Sequence, residues 1–141
     1  MADQDFNSQV IEEFRANDGR VGGMFESMSL LLLHHTGAKS SEKRIAPLAY
    51  VQDGSRYVIF ASKAGAPTNP AWYHNLIVHP QTTIEVGTKT FAVTADEILG
   101  EERQRLFDAQ VQRAPGFGDY QDKAGARVIP VIALTATGDA G

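Results

Sequence analysis

The sequence predicts a mainly β, α+β domain: a small six-stranded antiparallel barrel with few helices. Three observations carry that prediction. Six runs of strand length are rich in β-branched, aromatic and leucine residues. Asp53-Gly54 and Gly87-Thr88-Lys89 fall between runs that read as hairpin partners. Helical periodicity is confined to a few short stretches.

The chain has 141 residues, 43% of them hydrophobic and 21% charged, enough for one soluble domain with a real core. The expected organisation is an N-terminal amphipathic helix and joint over residues 1–22, a barrel over 23–135 and a flexible tail over 136–141.

Phe6, Val10 and Phe14 recur at four-residue spacing with Ile11 beside them, while Glu12, Glu13 and Arg15 fall elsewhere on the wheel. This predicts an amphipathic helix over residues 5–16. Its polar face is acidic, so packing on the domain is expected rather than attachment to an anionic membrane. Asn17-Asp18-Gly19 ends the helix, and Gly22-Gly23 supplies a flexible joint.

Residues 29–36 form the first predicted strand, built on Leu30 to Leu33. His34 and His35 are adjacent, so they face opposite sides and read as structural. From Gly37 to Arg44 runs a polar loop with two hydroxyls, two lysines and one arginine. Those groups suit a phosphate, because such hydrogen bonds are charge-assisted. The spacing is not that of a P-loop, and a solvated hairpin tip is the alternative. Residues 45–52 form the second strand. Pro47 cannot donate to a ladder, so it predicts an edge or a bulge, with neighbouring backbone groups free to face a ligand.

The third strand, residues 56–61, ends abruptly at Ser62-Lys63. Gly65, Pro67 and Asn69-Pro70 then predict an irregular loop. Asn69 is expected to cap a helix that starts at Pro70 and carries the only tryptophan, Trp72, in its first turn. A strand ending at a polar loop and a helix start is a common ligand-site geometry. The alternative is a crossover loop with the tryptophan buried. Further on, residues 82–86 and 90–98 form a hairpin and residues 101–112 an amphipathic helix. Pro115-Gly116-Phe117-Gly118 breaks that helix, residues 119–123 read as a short turn, residues 128–134 as the last strand, and the end as frayed.

Several function classes are excluded or disfavoured. There is no cysteine, which removes disulfides, thiolate catalysis and cysteine-ligated metals. The longest apolar run, Leu30 to Leu33, cannot span a bilayer. The acidic start lacks a signal-peptide pattern, which makes the cytoplasm the expected location. The net charge of −4 argues against general nucleic-acid binding. Between Gly37 and Lys63, however, five basic residues face two acidic ones, leaving −7 for the rest of the chain. A basic window in an acidic protein points to a bound anion. The four histidines lack a His-x3-His pair, so no metal is expected. No nucleophile–base motif is visible.

Several segments together resemble the deazaflavin-dependent nitroreductase family of actinobacteria. They are Pro47-Leu48-Ala49-Tyr50, Asp53-Gly54-Ser55-Arg56-Tyr57-Val58, Ala61-Ser62-Lys63, Asn69-Pro70-Ala71-Trp72-Tyr73-His74-Asn75-Leu76, Pro115-Gly116-Phe117-Gly118-Asp119-Tyr120-Gln121 and Ile129-Pro130-Val131. They match in order and spacing across residues 36–134. The resemblance implies a six-stranded split β-barrel of FMN-binding-like type. It implies coenzyme F420, an 8-hydroxy-5-deazaflavin with a phosphate and an anionic tail, as cofactor. Lys39, Ser40, Ser41 and Arg44 fit the family's phosphate loop. Pro47, Leu48 and Ala49 would run along the deazaflavin ring, and Ala61, Ser62 and Lys63 would line its other edge. Asn69, Trp72 and Asn75 would close or support the pocket. The family loop commonly has arginine where Ala38 stands and glycine where Ser41 stands, and Glu42 intrudes, so fewer phosphate contacts are implied. Phe117 replaces a frequent tyrosine and changes the substrate pocket.

The implied activity is that of an F420-dependent reductase adding hydride to an electron-poor small molecule: a quinone, enone, unsaturated lactone or nitroaromatic. Tyr120 would lie over the acceptor and serve as the catalytic hydroxyl. The alternatives are a deazaflavin-binding or storage protein without turnover, and a flavin- or haem-binding barrel. Neither a nucleic-acid partner nor a stable membrane anchor is expected, and oligomeric state is left open.

Overall fold

The computed structural model describes the backbone at residues 2–22, 29–62, 68–125 and 128–139, with side chains in those spans from residue 8 to residue 137. Lys63, the loop glycine and proline at 65 and 67, Gly23 and the side chain of Phe6 lie outside the described residues. Six strands close into an antiparallel barrel in the order β1-β2-β3-β6-β5-β4, where β1 is Leu30–Thr36, β2 Lys43–Asp53, β3 Arg56–Phe60, β4 Gln81–Val86, β5 Lys89–Ile98 and β6 Val131–Asp139. The helices are α1 (Ala2–Ala16), α2 (Ala71–Val78), α3 (Gly100–Arg113) and α4 (Gly116–Ala124). The barrel and both hairpins stand as the sequence predicts, each hairpin closing over a glycine at positive φ, Gly54 and Gly87.

Strand alternation divides the apolar residues between an interior and two outer faces. Leu31, Leu33, Ile59, Ile84, Val93, Ile132 and Leu134 fill the barrel, and Trp72 and Leu76 of α2 pack into the same cluster. On one outer face, Val10 and Phe14 of α1 cover Leu30 and Leu32. This is why all four leucines of β1 are buried: the interior takes two and α1 takes the others. On the other outer face, Leu106 and Phe107 of α3 and Ala124 of α4 cover Val58, Phe60, Ile129 and Val131. Each such large side chain removed from water contributes about 1.5–3 kcal/mol.

The N-terminal helix packs on the barrel as expected. Arg15 donates to both carboxylate oxygens of Glu85 on β4 (Nε 3.1 Å, Nη2 2.7 Å), and His34 Nε2 meets Glu85 Oε2 at 2.7 Å. The bond from Arg15 is the main reason the Glu85 carboxyl is held below its usual range. Asn17-Asp18-Gly19 ends α1 with Asp18 in the left-handed region (φ 58°), and Gly19 N donates to Phe14 O at 2.7 Å.

Three local expectations are corrected. The Asn69 cap is replaced by Pro70, which sits before the helix at φ −67° and ψ 155° with no side-chain cap bond; a proline ring with ψ this extended cannot itself be helical. Residues 116–124, expected as a break and a short turn, form α4, because Phe117, Tyr120 and Ala124 share one apolar face. The last strand starts at Val131 rather than 128 and runs to Asp139, pairing with β5 through the segment expected to fray. Pro47 keeps its edge character locally: although the barrel is closed, the described β2–β3 ladder starts only at Tyr50, so Pro47 is paired with β1 alone.

Gly19 also fixes how closely α1 approaches the barrel. At φ 94°, a Cβ there would lie 2.7 Å from Gly87 Cα, whereas one at Gly54 (φ 63°) would meet nothing within 4 Å. Gly54→Ala should therefore cost only the left-handed conformation, about 1–2 kcal/mol. Gly19→Ala should cost more, because it also pushes α1 off the β4–β5 turn. Chemical denaturation of both variants checks the order, and equal losses would contradict it.

Candidate functional site

The site begins where the ladders run out of partners. β2 pairs with β1 along the whole of β1, from Leu30↔Ala49 to Thr36↔Lys43. It pairs with β3 only from Tyr50↔Ile59 to Asp53↔Arg56. Among the described residues, the half of β2 from Lys43 to Ala49 thus has no strand pairing on its β3 side. Tyr50 N donates to Ser29 O at 3.0 Å, so even-numbered residues of β2 turn their amides toward β1. Ile45, Pro47 and Ala49 turn their backbone groups toward the opening. The amide that Pro47 lacks is therefore one that no ladder needs.

Continuing the β2–β3 register past Phe60 sets Ala61 and Ser62 across the opening from Leu48 and Pro47. Ala61 is buried and donates its amide to Pro130 O at 3.0 Å, and Ser62 is half-buried. Leu48 and Ala46 lean on the interior cluster, while Ile45 and Ala49 lean on the α1 side. The two predicted edges, Pro47-Leu48-Ala49 and Ala61-Ser62, thus flank one opening. Lys63 lies outside the described residues.

At the far end of β1, residues 37–42 fold on themselves. Gly37 N donates to Glu42 O (2.8 Å), Ser41 N to Gly37 O (3.0 Å), and Glu42 N to Ser40 Oγ (3.2 Å). Ser41 takes φ 60°. A Cβ at residue 37 would press on Ser40 Oγ, and that hydroxyl would have to turn away. Lys39, Ser40, Ser41, Lys43 and Arg44 are all exposed around this turn. Arg44 Nη2 is met by Glu42 Oε2 at 3.0 Å, so the intruding acid sits on the cation expected to hold an anion.

Asn75 holds the loop to the barrel. Its Oδ1 accepts from Ala38 N at 2.9 Å, and its Nδ2 lies 2.9 Å from His35 Nδ1. With Oδ1 already accepting, Nδ2 is the donor, which leaves His35 Nδ1 as an acceptor and the imidazole neutral. His35 and Asn75 are 7% and 8% exposed. Burial, then the nearby charges of Arg44 and His34, lower the His35 pKa to about 4. The sequence reading took both histidines as structural; strand alternation put His35 inward beside Leu31 and Leu33, and its partner on α2 was the part that pattern could not show.

The other predicted residues fall into place unequally. Trp72 is 8% exposed within the interior cluster that also contains Ala61, so the buried reading of the tryptophan holds. Asn69 is half-buried beside Pro70. Tyr120 lies on α4, outside the barrel: its ring is 5.4 Å from Phe117, which is 5.6 Å from Phe60, the last residue of β3 before the opening. Tyr120 is therefore linked to the end of β3 through the Phe117 ring. Arg103 on α3, not anticipated, is buried and binds α4 and the approach to β6. A separate cleft of about 600 Å³ between the end of α1, Tyr50 and the β4–β5 turn contains none of the predicted residues. Among the described residues, no cluster of three potential metal ligands occurs, and no helix is long and apolar enough to cross a membrane.

Comparison with known proteins gives a consistent picture. A family model described as F420H(2)-dependent quinone reductase matches residues 7–136. An F420H(2)-dependent quinone reductase of Mycobacterium tuberculosis is 40% identical over 126 residues, covering 86% of this chain and 84% of that protein. Among solved structures, an F420-H2 dependent reductase, FDR-A, is similar at TM-score 0.67 and 38% identity, over 74% of this chain and 92% of that one. A structure described as a domain-swapped dimer is similar at TM-score 0.68 and 29% identity, over 95% and 99% of the two chains. The haem storage protein HutZ of Vibrio cholerae, at 16% identity and TM-score 0.58 over 92% and 89%, shares the fold alone.

The neutral, buried His35 makes stability depend on pH in a defined direction. In the unfolded chain it takes up a proton near 6.5, and in the fold only near 4. Its contribution is therefore full above about pH 6.5 and is lost as pH falls toward 4, by up to about 3 kcal/mol. His35→Gln removes the titrating group. The stability gap between wild type and this variant should shrink by that amount from about pH 7 to about pH 4 in urea unfolding. A gap that stays constant would mean His35 keeps its ordinary protonation in the fold.

Proposed function

The chain belongs to the F420H(2)-dependent quinone reductase family, and on that premise we propose that it is an F420-dependent oxidoreductase passing a hydride from the reduced cofactor to an electron-poor small molecule. Quinones are the acceptors the family name favours; enones, unsaturated lactones and nitroaromatics share the chemistry. The observation that carries the reading is the unpaired half of β2 running directly into the basic loop. A flat ring with a hydrogen-bonding edge and an anionic tail needs that combination.

The residues present fit such a cofactor. Lys39, Lys43 and Arg44, with the hydroxyls of Ser40 and Ser41, form an exposed donor set for a phosphate. The backbone of Ile45, Pro47 and Ala49 would border the ring on one side and Ala61 and Ser62 on the other. Trp72, from the interior, supports the floor, and Asn75 keeps the loop in place. When bound, the deazaflavin supplies a two-electron hydride carrier, having carbon at the position of the flavin N5. The protein binds, orients and excludes water. Tyr120 would donate a hydrogen bond, or the proton, to the acceptor oxygen. The likeness to a domain-swapped dimer makes a dimer the assembly to look for by light scattering.

Fluorescence titration with oxidised F420, FMN and haem tests the cofactor. F420 should bind far more tightly than FMN, and equal or tighter FMN binding would overturn the reading. Arg44→Ala should weaken F420 binding by about 1–3 kcal/mol, the range for charge-assisted hydrogen bonds; an unchanged dissociation constant would make the basic loop a solvated hairpin tip.

Tyr120→Phe keeps the ring and removes the hydroxyl. Turnover should fall roughly tenfold or more, about 1.4 kcal/mol of barrier, with F420 affinity near wild type. Unchanged turnover across several acceptors would assign proton delivery to solvent.

A further inference from the structure

α3 buries a charge on its apolar face. Arg103 shares that face with Leu106, Phe107 and Gln110 and is only 8% exposed. Its guanidinium stacks over the Phe107 ring at 4.5 Å. Its four described hydrogen bonds all end on neutral oxygens: Nε and Nη2 donate to Ile129 O (3.3 and 2.8 Å), Nη1 to Gln104 Oε1 (3.1 Å), and Nη2 to Gln121 Oε1 (3.2 Å). A buried cation without a bound carboxylate is a poor way to gain stability. A leucine in its place would satisfy the pattern of the face. What the arginine provides instead is direction, since its fork holds two other segments at once.

The second half of the arrangement is Gln121. Its Oε1 accepts from Arg103 and also from Ile129 N, at 3.0 Å. One amide oxygen on α4 is thus held by α3 and by the chain just before β6. α4 is otherwise seated by Ala124 and the half-buried Phe117 and Tyr120, and apolar contacts of that kind leave rotation about the helix axis loosely set. The bond to Gln121 fixes it, and Tyr120 is the preceding residue.

We propose that Arg103 is a positioning residue: through Gln121 it sets the rotation of α4 and so aims the Tyr120 hydroxyl at the acceptor. This rests on the reading of Tyr120 as the group that touches the acceptor oxygen. Arg103 itself touches neither cofactor nor acceptor. A residue that only held the fold together would change stability without discriminating between reaction parameters. A positioning residue acts on turnover, and it acts only while the hydroxyl it aims is present.

The test is a double-mutant cycle on the F420-loaded enzyme with a quinone acceptor. Arg103→Lys keeps a buried cation and loses the fork. It should lower kcat about tenfold while the dissociation constant for F420 changes less than twofold. In a Tyr120→Phe background, the same Arg103→Lys change should lower kcat less than twofold. Thermal unfolding of Arg103→Lys with a midpoint well above the assay temperature excludes a general fault in folding as the cause of its kcat loss. Equal kcat losses from Arg103→Lys in both backgrounds, or a loss confined to F420 affinity, would overturn the proposal. If Tyr120→Phe alone leaves kcat unchanged while Arg103→Lys lowers it, the reading of Tyr120 fails and the coupling through it fails with it. If Tyr120→Phe lowers kcat but Arg103→Lys leaves it unchanged, only the positioning role fails.

Discussion

β2 has eleven residues and β3 has five, and the site follows from that mismatch. A closed barrel normally satisfies every strand on both sides. Here β1 pairs with the first half of β2, while β3 stops at Phe60 and no described strand pairs with the other side of that half. Exposed strand edges invite pairing with other chains, and proteins guard them with proline and charge. This edge carries Pro47 in its middle and Lys43 and Arg44 at its mouth. The features that discourage a further strand are the ones that suit a flat ligand with an anionic tail. Because β1 and β2 are joined by residues 37–42, the basic turn lies at the end of the open edge without any additional element to place it there.

The turn is anchored by one neutral polar relay, Ala38 to Asn75 to His35. Neutrality matters here. A charged imidazole inside the barrel would add to Arg44 and would lose the lone pair that Asn75 needs. Burial keeps the ring neutral, so the cations of the loop stay on the solvent side and the barrel side presents only hydrogen bonds. The α1 latch works the opposite way, with Arg15 and His34 gathered on the carboxylate of Glu85 at a half-exposed position. Such a pair contributes little to stability by itself, and Phe14 and Val10 supply most of what holds α1 down.

Much of this was legible in the sequence, for identifiable reasons. The barrel, both hairpins and the apolar side of α1 follow from periodicity and turn chemistry, which are local. The loop and the two segments Pro47-Leu48-Ala49 and Ala61-Ser62 stand out by residue type and by the family resemblance, and the ladder register extended past Phe60 sets the two segments opposite one another. What failed was equally local in cause. Pro70 reads as a first helical residue by propensity, yet its ψ of 155° puts the start one residue on. Residues 116–124 follow Pro115 and begin with Gly116 and Gly118, which hid a helix whose stability comes from packing Phe117 on Phe60 and Tyr120 on Phe117. The tail beyond residue 135 is too small and polar to announce a strand, and it is one because β5 is long enough to pair with it. Arg103 was invisible because burial of an arginine is a tertiary fact.

The outer face under α3 and α4 shows how distance and direction are set by different forces. Phe60, Phe107, Phe117 and Tyr120 meet edge to face at 5.4–6.3 Å. Contacts of this kind are worth about 0.5–1.5 kcal/mol each beyond their buried area, and they tolerate small rotations. They can hold α4 near the end of β3, but they cannot choose which way a phenol points. Directional bonds can, and Gln121 Oε1 on α4 accepts two of them. Phe60 belongs to this outer cluster while its neighbours Ile59 and Ala61 belong to the interior. A single residue of β3 therefore joins the aromatic face to the opening. The position of Tyr120 relative to the end of β3 depends on the packing at Phe60, and on the proposed positioning its orientation depends on hydrogen bonds made by the next residue of its own helix.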